Sequence, residues 1–195
     1  AVAIPATSQL KEHDIVYRFE SANVDAIVCA EDEALLSEVE AAEKKVSHKI
    51  TKILVGSPRE GWEDFDKNQE FFSRSFKRTE DSPCGNDPMI MFFTSGTTGY
   101  PKIAVHSYKY ALGHYVTARY WHLVEPGGLH FTISETGWGK ALWGKLYGQW
   151  LCEGAVFVYD FERFAADKIL PMFKQYNITT FCAPPTMYRM FIKQD

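Results

Sequence analysis

Short apolar, β-branched runs alternate with helical stretches along most of this 195-residue chain, and that alternation restricts the fold more than any other feature. A strand, a helix and a second strand in succession join most readily as a parallel βαβ unit, because the helix carries the chain back to the start of the sheet. Residues 25–30 (DAIVCA) and 50–55 (ITKILV) predict two such strands. Residues 31–45 between them predict a helix with Leu35, Leu36, Val39 and Ala42 on one face. Its acidic start and its Lys44-Lys45 end both suit the helix dipole. Residues 2–5 predict a strand, and Thr7 or Ser8 is expected to cap a helix running to about Ala22.

The second half repeats the alternation. Residues 107–121 predict a helix with Tyr108, Ala111, Leu112, Tyr115 and Ala118 inward. Residues 137–151 predict a single well-buried helix, because Trp138, Leu142, Trp143, Leu146, Tyr147 and Trp150 wrap most of its circumference. Residues 165–176 predict a helix with Ile169, Leu170 and Phe173 inward. Strands are expected at 130–133, 155–159 and 179–183, and Pro184-Pro185 suits the first turn of a last helix. The expected fold is α/β, with mostly parallel sheet layers packed against helices. Residues 56–88 break the pattern with a polar stretch that holds a short helix at about 66–75. The expected division is therefore βα units over residues 1–75 and a second α/β part over residues 76–195.

Apolar residues make up 46% of the chain, enough for a core, and the net charge of −4 gives no electrostatic reason to expect nucleic acid as a partner. Cys29, Cys84, Cys152 and Cys182 form no CxxC pair, so zinc-ligand spacing is absent and a reducing compartment fits best. Cys29 and Cys182 lie in strand-like runs and are expected to be buried. The six histidines form no metal pattern, and only His106 stands close to a feature of interest. No apolar run is long enough to span a membrane. A cytoplasmic location is the expectation.

That feature is the stretch MIMFFTSGTTGYPKIAVHS, residues 89–107. Its apolar flanks, 90–93 and 103–105, are too close for a helical crossover and predict antiparallel neighbours. Between them stand Thr94, Ser95, Gly96, Thr97, Thr98 and Gly99, then Tyr100, Pro101 and Lys102. A loop that holds triphosphate needs free backbone N–H groups, glycines that let the chain approach closely, and hydroxyl donors. This one supplies all three. It is not a Walker loop, which needs lysine directly after the second glycine. A plain hairpin tip rich in turn residues is the competing reading.

The string from Phe93 to Lys102 resembles the phosphate-loop signature of the adenylate-forming, AMP-binding superfamily, which includes acyl-CoA synthetases, luciferases and nonribosomal peptide adenylation domains. Ala3-Ile4-Pro5-Ala6-Thr7, Asp14-Ile15-Val16-Tyr17-Arg18, Ser134-Glu135-Thr136-Gly137-Trp138 and Ala183-Pro184-Pro185-Thr186-Met187-Tyr188-Arg189 look like the medium-chain, acetyl-CoA synthetase-like branch. Ile103, where many relatives carry glycine, and the following His106-Ser107 match that branch too.

The resemblance implies a ligase that activates a carboxylic acid with ATP and Mg²⁺ to an acyl-adenylate, then forms a thioester with coenzyme A. It places residues 94–99 and Lys102 on the outer phosphates, although such a lysine also serves as a strand-end cap. It places Thr136, Gly137 and Trp138 near the acyl group, with an ordinary core tryptophan as the other reading of Trp138. Arg189 is expected to act mainly as scaffold, and no catalytic residue is assigned. The family's adenine-contacting segment and its C-terminal lysine domain would lie beyond residue 195, so the chain is expected to be an inactive fragment that self-associates through exposed apolar surface. The alternatives are a non-catalytic nucleotide-binding or interaction module, and an aryl-CoA type of ligase.

Overall fold

A computed structural model describes residues 1–195 apart from 96–98, 162 and 195. The chain forms two compact units, one of Ser8–Ser82 and one of Ala1–Thr7 together with Pro83–Asp195.

The Ser8–Ser82 unit runs α1 (Glu12–Ser21), β1 (Ala26–Ala30), α2 (Glu33–Glu43), β2 (Thr51–Val55), β3 (Glu63–Asp64) and α3 (Phe65–Gln69). Its strands form a parallel sheet in the order β1-β2-β3, with Ala26 opposite Thr51 and Ala30 opposite Val55. Ile15, Phe19, Cys29, Leu36, Val39, Ala42, Ile50 and Leu54 make the core. The α2 stripe at Leu36, Val39 and Ala42 is buried as the 3.6-residue spacing requires. Asp32 caps that helix by accepting from the Ala34 and Leu35 N–H groups. The first helix starts later than expected. Thr7 and Ser8 do not cap it. It begins after Lys11, whose N–H is taken by the Asp14 carboxylate at 3.3 Å. The short helix of the polar stretch also ends early, at Gln69. Trimming one methyl from the core with Ile50→Val is expected to cost about 0.5–1.5 kcal/mol in urea unfolding.

The other unit opens on a single bridge rather than a strand. Ala3 pairs with Ile90, donating to the Met89 carbonyl at 3.0 Å and accepting from Met91 at 2.9 Å. Then come β4 (Pro88–Thr94), β5 (Lys102–Ser107), α4 (Lys109–Val116), a π-helical turn (Thr117–Trp121), β6 (Leu129–Thr132), α5 (Gly139–Trp143), α6 (Tyr147–Leu151), β7 (Ala155–Phe157), α7 (Ala166–Gln175), β8 (Thr180–Cys182) and α8 (Pro185–Phe191). The β4–β5 pair is antiparallel, as their short separation requires. A parallel sheet runs β7-β6-β8. Its core gathers Phe131, Ile133, Ile169 and Ala183, with Phe157, Phe173, Phe181 and Phe191 around them. Cys182 in β8 is only half-buried, unlike Cys29.

Three helical expectations need correction. The inward stripe of residues 107–121 is Tyr110, His114 and Ala118, whereas Leu112 is 63% exposed and Tyr115 is also exposed. Apolar character misled the reading, because an imidazole and a phenol ring supply the packing face. Residues 137–151 form two short helices with a break at Gly144. The Gly144 carbonyl accepts from Thr132 Oγ1, from His130 Nε2 at 2.9 Å and from Gln149 Nε2 at 3.0 Å, so it is bound outside any helical ladder. Trp138 and Trp150 are exposed rather than buried. In α7, Ala166 and Ile169 are buried and Leu170 is not.

Candidate functional site

Antiparallel pairing fixes both ends of the hydroxyl loop. Thr94 is the last residue of β4 and stands opposite Lys102, the first of β5; its hydroxyl donates to the Lys102 carbonyl at 3.2 Å. The two ends of the loop are thereby held together, and ordering it on a ligand costs less than ordering a free segment. Gly99 has φ +116°, a conformation glycine adopts without strain. Thr94 and Ser95 are exposed at the loop entrance. Gly96, Thr97 and Thr98 lie outside the described residues.

One face of the β4–β5 ladder forms the floor of a cavity of about 850 Å³. Phe92 and Ala104 are cross-strand partners, and His106 follows two residues on. The first turns of α4 supply Tyr110 and His114, residues 137–140 supply a rim, and Trp143 closes the far side. Thr94, Ser95, Gly137 and Trp138 all border this same space, so the start of the hydroxyl loop and the SETGW turn meet around one cavity. Thr136, Gly99 and Lys102 are not among its lining residues. Trp138 is 66% exposed on the rim, which removes the core-tryptophan reading. Gly137 is required by close approach: a Cβ there would stand 2.3 Å from the Thr7 nitrogen. The Glu135 carboxylate accepts from the Gly137 N–H at 3.0 Å and sets the turn that carries Trp138.

The wall is a continuous array of rings. His106 lies 4.7 Å from Tyr110, Tyr110 lies 4.4 Å from His114, and His114 stacks on Trp143 at 6.2 Å between centroids. The π-helical turn aims Trp121 and His122 at the other side of Trp143, and His122 stacks on His130 at 5.0 Å. Burial pushes the Tyr110 phenol up to about 12 and lowers His114, with His106 adding to the second effect. Burial also lowers His122, helped by Lys140 and His114. Burial therefore favours the neutral forms of the His114 and His122 rings, and the ring-lined wall suits an apolar organic group better than an ion.

His130 is the anchor behind this wall. It is fully buried, pairs with Thr180 Oγ1 at 2.8 Å through Nδ1, and reaches Thr132 Oγ1 and the Gly144 carbonyl through Nε2. A neutral ring with its proton on Nε2 satisfies the set, and burial beside His122 holds its pKa down to about 4. Sequence patterns assign no site role to this residue or to Tyr110, His114, Lys140 and Trp143, and mark Trp143 only as a helix-packing residue. The i, i+4 step from Tyr110 to His114 was the available signal. Among the described residues, no cluster of His, Cys, Asp or Glu could hold a metal ion, and no helix is long and apolar enough to cross a membrane.

The family described as AMP-binding enzyme matches residues 1–195. Among curated proteins, the chain is 34% identical over 196 residues to human acyl-coenzyme A synthetase ACSM3, mitochondrial, and 36% identical over 197 residues to human acyl-coenzyme A synthetase ACSM4, mitochondrial. Each match covers 100% of this chain and 33% of the relative, so the chain spans about a third of their length. Among solved structures it resembles an acyl-CoA synthetase from Brucella canis, with TM-score 0.80, 22% identity, and 98% of this chain and 34% of that one covered. It also resembles the anthranilate CoA ligase AuaEII in complex with anthranoyl-AMP, with TM-score 0.81, 19% identity, and 100% and 38% covered. At these identities the two structures speak for the fold alone.

Proposed function

Because this chain belongs to the AMP-binding enzyme family, we propose that it is the phosphate-gripping and acid-binding part of an acyl-CoA ligase. The observation that carries this reading is the meeting of the hydroxyl loop and the SETGW turn on one ring-lined cavity. In the proposed reaction an oxygen of the carboxylate attacks the α-phosphorus of ATP and pyrophosphate leaves. The thiolate of coenzyme A then attacks the acyl carbon, the carbon–oxygen bond to AMP breaks, and a thioester forms. A carboxylate is a poor acyl donor because its leaving group would be oxide; AMP is a far better one. The hydroxyls and N–H groups of Ser95, Gly96, Thr97, Thr98 and Gly99 donate to the β- and γ-phosphates, with Thr94 fixing the loop entrance through its bond to the Lys102 carbonyl and Lys102 adding positive charge. Mg²⁺ enters with the nucleotide and offsets phosphate charge. Gly137 and Trp138 border the acyl group, and Thr136 acts from the same turn without lining the cavity.

The division of labour follows from coverage. The adenine-contacting segment and the lysine-bearing C-terminal domain belong, on this reading, to the two thirds of the relatives that the chain does not span. Residues 1–75 and 76–195 remain the functional division we propose, the later part carrying the loop. Exposed Leu112, Val116, Tyr120, Trp121 and Trp150 give the 195-residue polypeptide an apolar surface through which it self-associates. All four cysteines are free, which supports a reducing compartment; the cytoplasm is the proposed address, although the named relatives are mitochondrial proteins. An aromatic acid is the second reading of the substrate, favoured by Phe92, Tyr110, Trp138 and Trp143 around the cavity.

The test uses the 195-residue polypeptide. Tripolyphosphate is expected to bind, and the pair Ser95→Ala with Lys102→Ala to weaken it about tenfold or more, as loss of charge-assisted donors implies. Acid-dependent ATP–pyrophosphate exchange is expected to be absent. Exchange by this polypeptide overturns the proposed division, and undiminished binding by the variant overturns the loop assignment.

A further inference from the structure

The Ser8–Ser82 unit carries an exposed segment that the ligase reading leaves unused. After α3 ends at Gln69 the chain turns, with the Phe71 and Phe72 N–H groups donating to the Asn68 and Gln69 carbonyls, both at 3.2 Å. Phe71, Phe72 and Phe76 are 77%, 76% and 83% exposed. Arg74, Lys77 and Arg78 stand among them, and none is in an ion pair among the described residues. Three bare phenylalanines within six residues are unusual for a surface turn, because each leaves a large apolar area in water. Three cations in the same stretch repel one another unless an anionic partner meets them.

We propose that this segment docks the protein on an anionic lipid surface. The phenyl rings enter the boundary between headgroups and acyl chains while the guanidinium and ammonium groups meet lipid phosphates and carboxylates. Two features favour a lipid surface over a protein partner. The three rings are carried on irregular backbone and form no groove or regular helical face. The cations alternate with the rings rather than forming a separate rim, so both can act at one depth of a fluid interface. Glu70, Glu80 and Asp81 flank the segment and confine its positive charge to residues 71–79, so the contact is local and peripheral. The proposal does not depend on the ligase reading.

Vesicle flotation with the 195-residue polypeptide decides it. Binding is expected to phosphatidylcholine vesicles that contain phosphatidylserine, to be weaker on pure phosphatidylcholine, and to fall with added salt. The triple variants Phe71→Ser/Phe72→Ser/Phe76→Ser and Arg74→Gln/Lys77→Gln/Arg78→Gln are each expected to lose about tenfold or more in partitioning. Their thermal melts should match the parent, since these side chains are exposed. No binding to anionic vesicles, equal binding to neutral ones, or binding that either triple leaves unchanged overturns the proposal. So does capture of a protein partner through this segment without any vesicle binding.

Discussion

Gly148→Val is expected to part α6 from α4 and to destabilise the unit that holds the cavity by more than about 3 kcal/mol. Gly148 is buried in α6. A Cβ there would stand 2.3 Å from the His114 carbonyl oxygen, 3.0 Å from its carbon and 2.8 Å from the Ala118 Cβ. The obstructing atoms are mainly backbone of α4, tied into that helix, so no side-chain rotation relieves them. Only separation of the helices does, and it carries Tyr110 and His114 off the cavity wall. Gly113→Ala is the matched control. Gly113 sits in the same α4, but nothing lies within 4 Å of the position its Cβ would take. Removing that glycine's helical penalty is expected to stabilise by about 0.5–1 kcal/mol. Urea unfolding of both variants checks the pair; a Gly148→Val protein as stable as the parent would show that α4 and α6 do not meet as described.

His130→Leu is expected to abolish a large part of the protein's sensitivity to mild acid. The unfolded imidazole titrates near 6.5, and the buried one is held down to about 4. Between those values the unfolded chain binds a proton that the folded chain does not. Stability is therefore complete above pH 6.5, falls as pH drops through the window, and stops changing on this account below pH 4. The swing attributable to His130 is up to about 3 kcal/mol. His114 and His122 are lowered as well, so the leucine variant retains a smaller slope of the same sign. Urea midpoints across the window, compared between parent and variant, measure the difference. Parallel curves would mean that His130 does not titrate as a buried neutral ring.

Much of the architecture was legible because short-range patterns fix it. The α2 stripe at Leu36, Val39 and Ala42, the antiparallel return across the hydroxyl loop and the proline entry to α8 each depend on neighbours a few residues apart. Of the loop string and the SETGW turn, Thr94, Ser95, Gly137 and Trp138 border the cavity, whereas Gly99, Lys102 and Thr136 do not line it. The failures share a different cause. Nothing local to residues 137–151 announces the break at Gly144, because His130 and Thr132 in β6 help to bind its carbonyl. Nor does α4 show its inward face to an apolar count, since Tyr110 and His114 make it. Partners supplied from another element, and polar rings used as packing groups, are what a linear reading misses.

The bridge from Ala3 to Ile90 bears on the order in which the molecule assembles. The whole of Ser8–Ser82 lies between its two partners in sequence. That intervening unit is continuous, with a sheet and core of its own, and can form as soon as it leaves the ribosome. Ala1–Thr7 must wait for β4 before it finds a partner. Loop closure over an intervening stretch that is already compact costs less entropy than closure over a loose one. Early folding of the inserted unit therefore speeds the docking of the N-terminal segment, and a destabilised Ser8–Ser82 slows maturation of a site to which it contributes no lining residue.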